Sequence, residues 1–333
     1  MRGIAALAVV LFHTSLLTGN MIVPGGYLAV DLFFIMSGCV IAHAYEKRLA
    51  ETMSVREFAA RRLIRFLPFY LIGLVCGVVV VMLSMSANTT AAPPIADIVV
   101  VLIFSLMFLP ALQLPASSVM FPFNVPAWTL FYELVVNLLY AVFRRFLSDR
   151  VLAIVAAGAL AVTAWGASRH GDMNFGYTLA EAPEAFARTV FSFALGVLIF
   201  RHNRNWRIHM LPVMVITAAA FLVPVPTLWR WPFDLAVVAL MFPGVTALLL
   251  AAPSNNLTGL FTLLGDMSYG IYAIHYPVIG LIGWFAQDVA IDRMVLATGT
   301  VVLLIPISIF IERRIDRPLR SRLMKGLPAF IAR

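Results

Sequence analysis

Apolar stretches of roughly 15 to 20 residues follow one another along almost the whole chain, and no other feature restricts its fold as strongly. A helix needs about 20 residues, at 1.5 Å of rise each, to cross a hydrocarbon core about 30 Å thick. Eleven stretches are candidates: 3–18, 26–45, 66–86, 96–112, 127–143, 151–168, 186–200, 208–223, 234–252, 267–287 and 293–312. With 62% hydrophobic and only 12% charged residues, and a mean hydropathy of +0.95, the chain lies far outside soluble globular averages. No basic segment precedes a small-residue cleavage site, so the first stretch is expected to act as its own insertion signal. No internal repeat, low-complexity tract or soluble domain stands out. Cys39 and Cys76 both fall inside apolar stretches and read as packing residues rather than a disulfide or a metal pair, so no metal is expected.

Lys and Arg collect on cytoplasmic loops, which tests the eleven candidates against their charges. Basic clusters occupy 47–65, the positions Arg144, Arg145 and Arg150, then 201–207 and 313–325. An even number of crossings must separate clusters on one side, yet three candidates lie between the first and second clusters. One of the three cannot span. The 96–112 segment is short, follows Pro93 and Pro94, and is succeeded by Pro110, Pro115, Pro122 and Pro126. With it on the outer surface, or dipping in and returning, ten spans remain and both termini are cytoplasmic. The expectation is an all-α polytopic bundle of about ten transmembrane helices plus one non-spanning apolar segment at 96–112. A membrane domain over 1–312 is then followed by a basic cytoplasmic tail over 313–333, lying along the inner surface. The net charge of +8 is accounted for by topology and anionic membrane lipids, not by nucleic acid. The stretch 87–126 reads as an outer loop positioned to cover a site.

The first stretch, RGIAALAVVLFH, holds a cation at one end and an imidazole at the other. With Arg2 at the inner surface, His13 lies eleven residues further on, roughly 16 Å along a helix. Ionisable groups at that depth are rare, face the bundle interior and mark functional paths. The second stretch descends from Gly26 and brings Asp31 to a similar depth. The fifth, PAWTLFYELVVN, brings Glu133 there too, with Trp128 near the interface. Three polar side chains are therefore expected in one layer. A carboxylate that accepts the proton of one imidazole nitrogen leaves the other nitrogen as a base.

These residues also carry a resemblance. RGIAALAVVLFH is similar to the Arg-x10-His signature of the integral membrane acyltransferase 3 family, the O-acyltransferases of bacterial envelope sugars and some antibiotics. GGYLAVDLFFIMSGCVI resembles the family's second helix, with Phe33, Phe34, Ser37 and Gly38 in its FFxxSG motif and Asp31 where the family has an acid. FAARRLIRFLPFY resembles its cytoplasmic RxxR motif at Arg62 and Arg65, with Pro68 and Tyr70 following. AWTLFYE matches W-[ST]-L-x-x-E at Trp128, Thr129 and Glu133, and MSYGIYAIHYP matches S-Y-x-x-Y-x-x-H-x-P at Ser268, Tyr269, Tyr272, His275 and Pro277. The resemblance covers nearly the whole chain.

It implies transfer of an acyl group, commonly acetyl, from a cytosolic acyl-CoA co-substrate to a carbohydrate hydroxyl at the cell inner membrane. Arginine forks match phosphate bidentately, so Arg62, Arg65 and Tyr70, with Arg2 on the same side, are expected around the donor. His13 is the expected general base, supported by Asp31, Arg2 and Glu133, although an acyl-histidine intermediate is a chemical alternative. Trp128, Ser268, Tyr272 and His275 are expected along the acceptor path. Plainer readings stand beside these: Arg62 and Arg65 as positive-inside anchors, Ser37 and Gly38 as close-packing residues, and His13 as an imidazole bonded to a neighbouring helix. A transporter of a lipid-linked sugar would also need buried ionisable residues; it would move an acceptor without acylating it.

Overall fold

A computed structural model describes residues 1–86, 94–111, 118–202, 210–251 and 258–331. Parts of the expected outer loop (87–93 and 112–117) and of the third basic cluster (203–207) lie outside the described residues. Among the described residues the structure is helical, apart from one antiparallel bridge between Val119 and Thr178. In chain order the helices are α1 (Arg2–His13), α2 (Ser15–Thr18), α3 (Ala29–Glu51), α4 (Val55–Ser86), α5 (Ile95–Leu106), α6 (Ala127–Phe143), α7 (Asp149–His170) and α8 (Ala182–Arg201). They continue as α9 (Met210–Leu222), α10 (Thr227–Ala236), α11 (Phe242–Ala251), α12 (Thr258–Phe285), α13 (Arg293–Ile311) and α14 (Arg317–Ile331).

Among the described residues six stretches are long and apolar enough to cross a membrane: Gly26–Glu51, Val55–Ser86, Asp149–His170, Leu179–Arg201, Thr227–Leu250 and Arg293–Leu327. The protein is an integral membrane protein. The segment expected not to span contains α5, whose 12 residues rise only about 18 Å. Phe108, with φ of 57°, then turns the chain out of the helix through the left-handed region. The basic tail is helical. It continues from α13 through a π-helical turn at Glu312–Asp316 into α14, which packs against α4.

Close helix contacts need small residues. Gly38 of α3 and Gly196 of α8 face each other so tightly that a Cβ on Gly38 would meet the Phe193 carbonyl and one on Gly196 the Ile35 carbonyl. Cys39 Sγ donates to the Gly196 carbonyl at 3.1 Å. Gly38 and Cys39 are thereby packing residues, and both cysteines are free thiols.

Prolines bend the long helices, because a proline lacks the N–H that its i−4 carbonyl would accept. In α12, Pro277 leaves the Ala273 carbonyl without that donor, and Asn124 Nδ2 fills the vacancy at 2.8 Å. Tyr272, His275 and Tyr276 lie in the turn and a half before this proline. Helix α1 packs between α12 on one side and α3 on the other, so the residues of all three helices meet along one seam.

Candidate functional site

Two cavities lie along that seam. The first, about 130 Å3, is lined by Arg2 from α1, Ser37 from α3, Arg62 and Arg65 from α4, Glu133 from α6, and Ser268 and Tyr269 from α12. Three guanidinium groups face one carboxylate, which leaves an excess of positive charge in a confined space. Glu133 Oε1 accepts from Ser37 Oγ at 2.6 Å and from Arg62 Nη2 at 3.1 Å. Arg62 lies 4.8 Å from the centre of the Phe66 ring and Arg65 lies 4.5 Å from that of Tyr269. Stacking fixes the planes of both guanidinium groups. Arg65 Nη1 stands 3.9 Å from Asp316 Oδ2, beyond hydrogen-bonding reach. It and Arg62 Nε are buried without a hydrogen-bond partner. Buried N–H groups are almost always satisfied, so these two donors match an anion entering the cavity.

The second cavity, about 270 Å3, is lined by His13, Tyr27, Trp128, Asn174, Tyr177 and Tyr276, among others. Aromatic faces dominate it, with a few polar groups between them. Val30 and Tyr272 line both cavities, so the two adjoin at these side chains. Tyr272 OH is held 2.6 Å from Thr129 Oγ1.

His13 is the only titratable group of α1 near this partition, and its bonding fixes which nitrogen is free. His275 Nδ1 lies 2.7 Å from the Tyr272 carbonyl; a carbonyl only accepts, so Nδ1 carries the proton of the neutral ring. His275 Nε2 is therefore an acceptor. It lies 3.1 Å from His13 Nδ1, which also sits 3.0 Å from the Val9 carbonyl. Both neighbours of His13 Nδ1 accept, so this nitrogen holds the proton and Nε2 keeps its lone pair. The tautomers are assigned from these contacts. Among the described residues His13 Nε2 has no partner.

Several expectations require correction. Asp31 does not support His13: it is fully buried and bound to Arg188, whose Nε donates at 2.9 and 3.0 Å and whose Nη2 donates at 2.6 Å. Ser192 Oγ adds a bond at 3.3 Å. Arg188 also donates to the carbonyls of Met173, Phe175 and Tyr27, fastening the segment that walls the second cavity. Glu133 belongs to the arginine-lined cavity and not to the level of His13. Tyr70 lines neither cavity; it is buried and donates to the Ser105 carbonyl at 2.7 Å, tying α4 to the end of α5. Arg2, Arg62 and Arg65 are brought together as expected. Trp128 and His13 share one cavity, Ser268 lies in the other, Tyr272 borders both, and His275 is the partner of His13.

The sequence reading passed over Arg188, although an arginine within the apolar stretch 186–200 was a signal. It also missed a second buried group. Tyr27 OH donates to Asp234 Oδ2 at 2.5 Å, Arg230 Nε donates to Tyr27 OH at 2.7 Å, and Met173 N donates to Asp234 Oδ2 at 3.0 Å.

A family model described as an acyltransferase domain matches residues 1–313. Protein 2 in picA locus, from Rhizobium radiobacter, is 37% identical over 149 residues, covering 42% of this chain and 77% of that protein. No solved structure matches.

Proposed function

The chain belongs to the acyltransferase 3 family, and from that premise we propose that this membrane acyltransferase moves an acetyl group from cytosolic acetyl-CoA to a hydroxyl of an envelope or exported carbohydrate. Residues from Arg2 to Arg65 around the first cavity face the cytosol in this reading, in a topology of ten crossings with both termini cytoplasmic in the cell inner membrane. The family assignment favours this reading over the transporter.

The observation that carries the proposal is the lone pair of His13 Nε2 at a cavity that shares Val30 and Tyr272 with a three-arginine cavity. Acetyl-CoA enters through the arginines, which supply fixed positive charge and unpaired N–H donors to its phosphates. The acceptor occupies the second cavity. Trp128, Tyr27 and Tyr177 offer apolar faces to sugar C–H groups, and Asn174 offers a hydrogen-bonding amide.

His13 Nε2 takes the proton of the acceptor hydroxyl as its oxygen attacks the thioester carbonyl. The C–O bond forms, the C–S bond breaks, and the departing thiolate receives the proton from the His13 imidazolium. During the step His13 Nδ1–H donates toward His275 Nε2 and the Val9 carbonyl, which stabilises the positive ring. His275 thus takes the positioning role expected of Asp31, without adding a negative charge.

The test uses vesicles containing the full chain and acetyl-CoA labelled in the acetyl group. Label should pass to a carbohydrate acceptor with the parent protein and not with folded His13→Ala. Full transfer by His13→Ala ends the mechanism, and acceptor movement without label ends the transferase assignment.

A further inference from the structure

Building on the acyl-CoA donor proposed above, we infer that the last helix completes the donor site: Arg317 and Arg320 of α14, with Arg61 of α4, bind the nucleotide phosphates of the donor. A vestibule of about 500 Å3 adjoins the arginine-lined cavity and shares Val40, Arg62 and Arg65 with it. Arg61, Arg317 and Arg320 complete a set of five arginines on its wall, and no acidic residue lines it. The family match stops at residue 313. What α14 contributes is therefore not assigned by membership of the family.

The carboxylates that partner these arginines stand outside the lining. Glu57 accepts from Arg61 Nε at 2.8 Å. Glu312 accepts from Arg317 Nε at 3.1 Å and from Arg320 Nη2 at 2.9 Å, Asp266 accepts from Arg317 Nη2 at 2.6 Å, and Asp316 pairs with Arg320 Nη2 at 2.5 Å. A guanidinium carries five N–H donors, and the carboxylate contacts of Arg317 and Arg320 use Nε and Nη2 only, so these contacts fix the orientation of each group and leave its Nη1 donors for a ligand. Such backing also limits the long-range field, so the wall recognises its ligand through short, directed bonds.

Size and chemistry suit one end of coenzyme A. The wide vestibule takes the bulky nucleotide with its 3′-phosphate, the pyrophosphate reaches Arg62 and Arg65 where the two cavities join, and the narrower cavity beyond takes the uncharged pantetheine arm and carries the thioester toward Tyr272. The π-helical turn at Glu312–Asp316 supplies the two backing carboxylates and sets the direction in which α14 leaves α13. Arg61 Nη1 lies 3.9 Å from Met324 Sδ, so α4 and α14 meet at the mouth.

The experiment compares acetyl-CoA with acetyl-pantetheine, which lacks the nucleotide, in vesicles containing the full chain. Arg317→Gln is suited to it because that side chain is 48% exposed. Ser321→Glu, at an exposed position on the wall, adds an anion and removes no ion pair. In each variant the kcat/KM preference for acetyl-CoA over acetyl-pantetheine should fall about tenfold, the size of one lost charge-assisted bond. Equilibrium binding of 3′,5′-ADP should weaken by a similar factor. An unchanged preference with unchanged 3′,5′-ADP binding in both variants overturns the inference. So does a preference that falls only in vesicles containing anionic lipid and not in phosphatidylcholine, because the phosphate held is then a headgroup's. If the parent transfers nothing from acetyl-CoA, the donor reading has failed, and 3′,5′-ADP binding alone decides the vestibule.

Discussion

Replacing Asp31 by alanine separates the structural account of this residue from a catalytic one. Asp31 and Arg188 are 0% and 1% exposed, and three guanidinium–carboxylate contacts join them. Removing one partner of a buried pair leaves the other charged and uncompensated, at a cost of about 3 to 5 kcal/mol. Arg188 would keep its contacts to the Met173, Phe175 and Tyr27 carbonyls, so the lower end, about 3 kcal/mol, is expected. A loss of that size is a large share of a stability of about 5 to 15 kcal/mol. The assay is denaturant unfolding of the purified protein in detergent, with acyl transfer measured per mole of folded protein. Asp31→Ala should unfold at distinctly lower denaturant yet keep much more activity than His13→Ala. The double variant Asp31→Leu/Arg188→Met, which removes both charges together, should recover much of the lost stability. A protein as stable as the parent but inactive as Asp31→Ala would refute the reasoning and return Asp31 to the chemistry.

His275→Phe removes the acceptor that holds His13 Nδ1–H, and kcat should fall about 10- to 100-fold with little change in the donor's KM. His275→Gln, whose amide oxygen can accept, should recover part of that loss; equal rates for the two variants would show that the contact does not position His13. Arg62→Gln should raise the KM for acetyl-CoA about tenfold or more by removing a phosphate donor and stranding Glu133 beside the donor path. Arg62→Gln/Glu133→Gln should bind the donor better than Arg62→Gln alone, and strictly additive effects of the two substitutions would contradict their coupling.

What the sequence could and could not disclose follows from helix geometry. Spacing along a helix gives the separation of Arg2 and His13: Arg2 lies at one end of α1 with the arginines of α4, and His13 at the other end lines a separate cavity, whereas Glu133 joins the arginines and not His13. Azimuth was not legible. Asp31 turns toward α8, where Arg188 lies inside the apolar stretch 186–200. Trp128 and Glu133 are five residues apart, a net rotation of about 140°, and so they enter different cavities. Tyr70 follows Arg65 by the same interval and is turned away in the same manner. The pairing of His13 with His275 joins positions 262 residues apart, and no local pattern encodes it. Motif membership placed His275 on a polar face of α12, while Pro277 and Asn124 shape the bend near it. The basic tail was legible as charge and not as structure, because the packing of α14 on α4 depends on a turn that has no sharp sequence signature.

The central claim concerns where an activated thioester meets a histidine. A cryo-EM structure of the full chain with a non-hydrolysable acetyl-CoA analogue tests it most directly. The account predicts the nucleotide among Arg61, Arg317 and Arg320, the pyrophosphate at Arg62 and Arg65, the pantetheine arm beyond them, and the acetyl carbonyl beside His13 Nε2 at Tyr272. An analogue bound with its acetyl end away from His13, and with Val30 and Tyr272 still sealing the two cavities from each other, would contradict it.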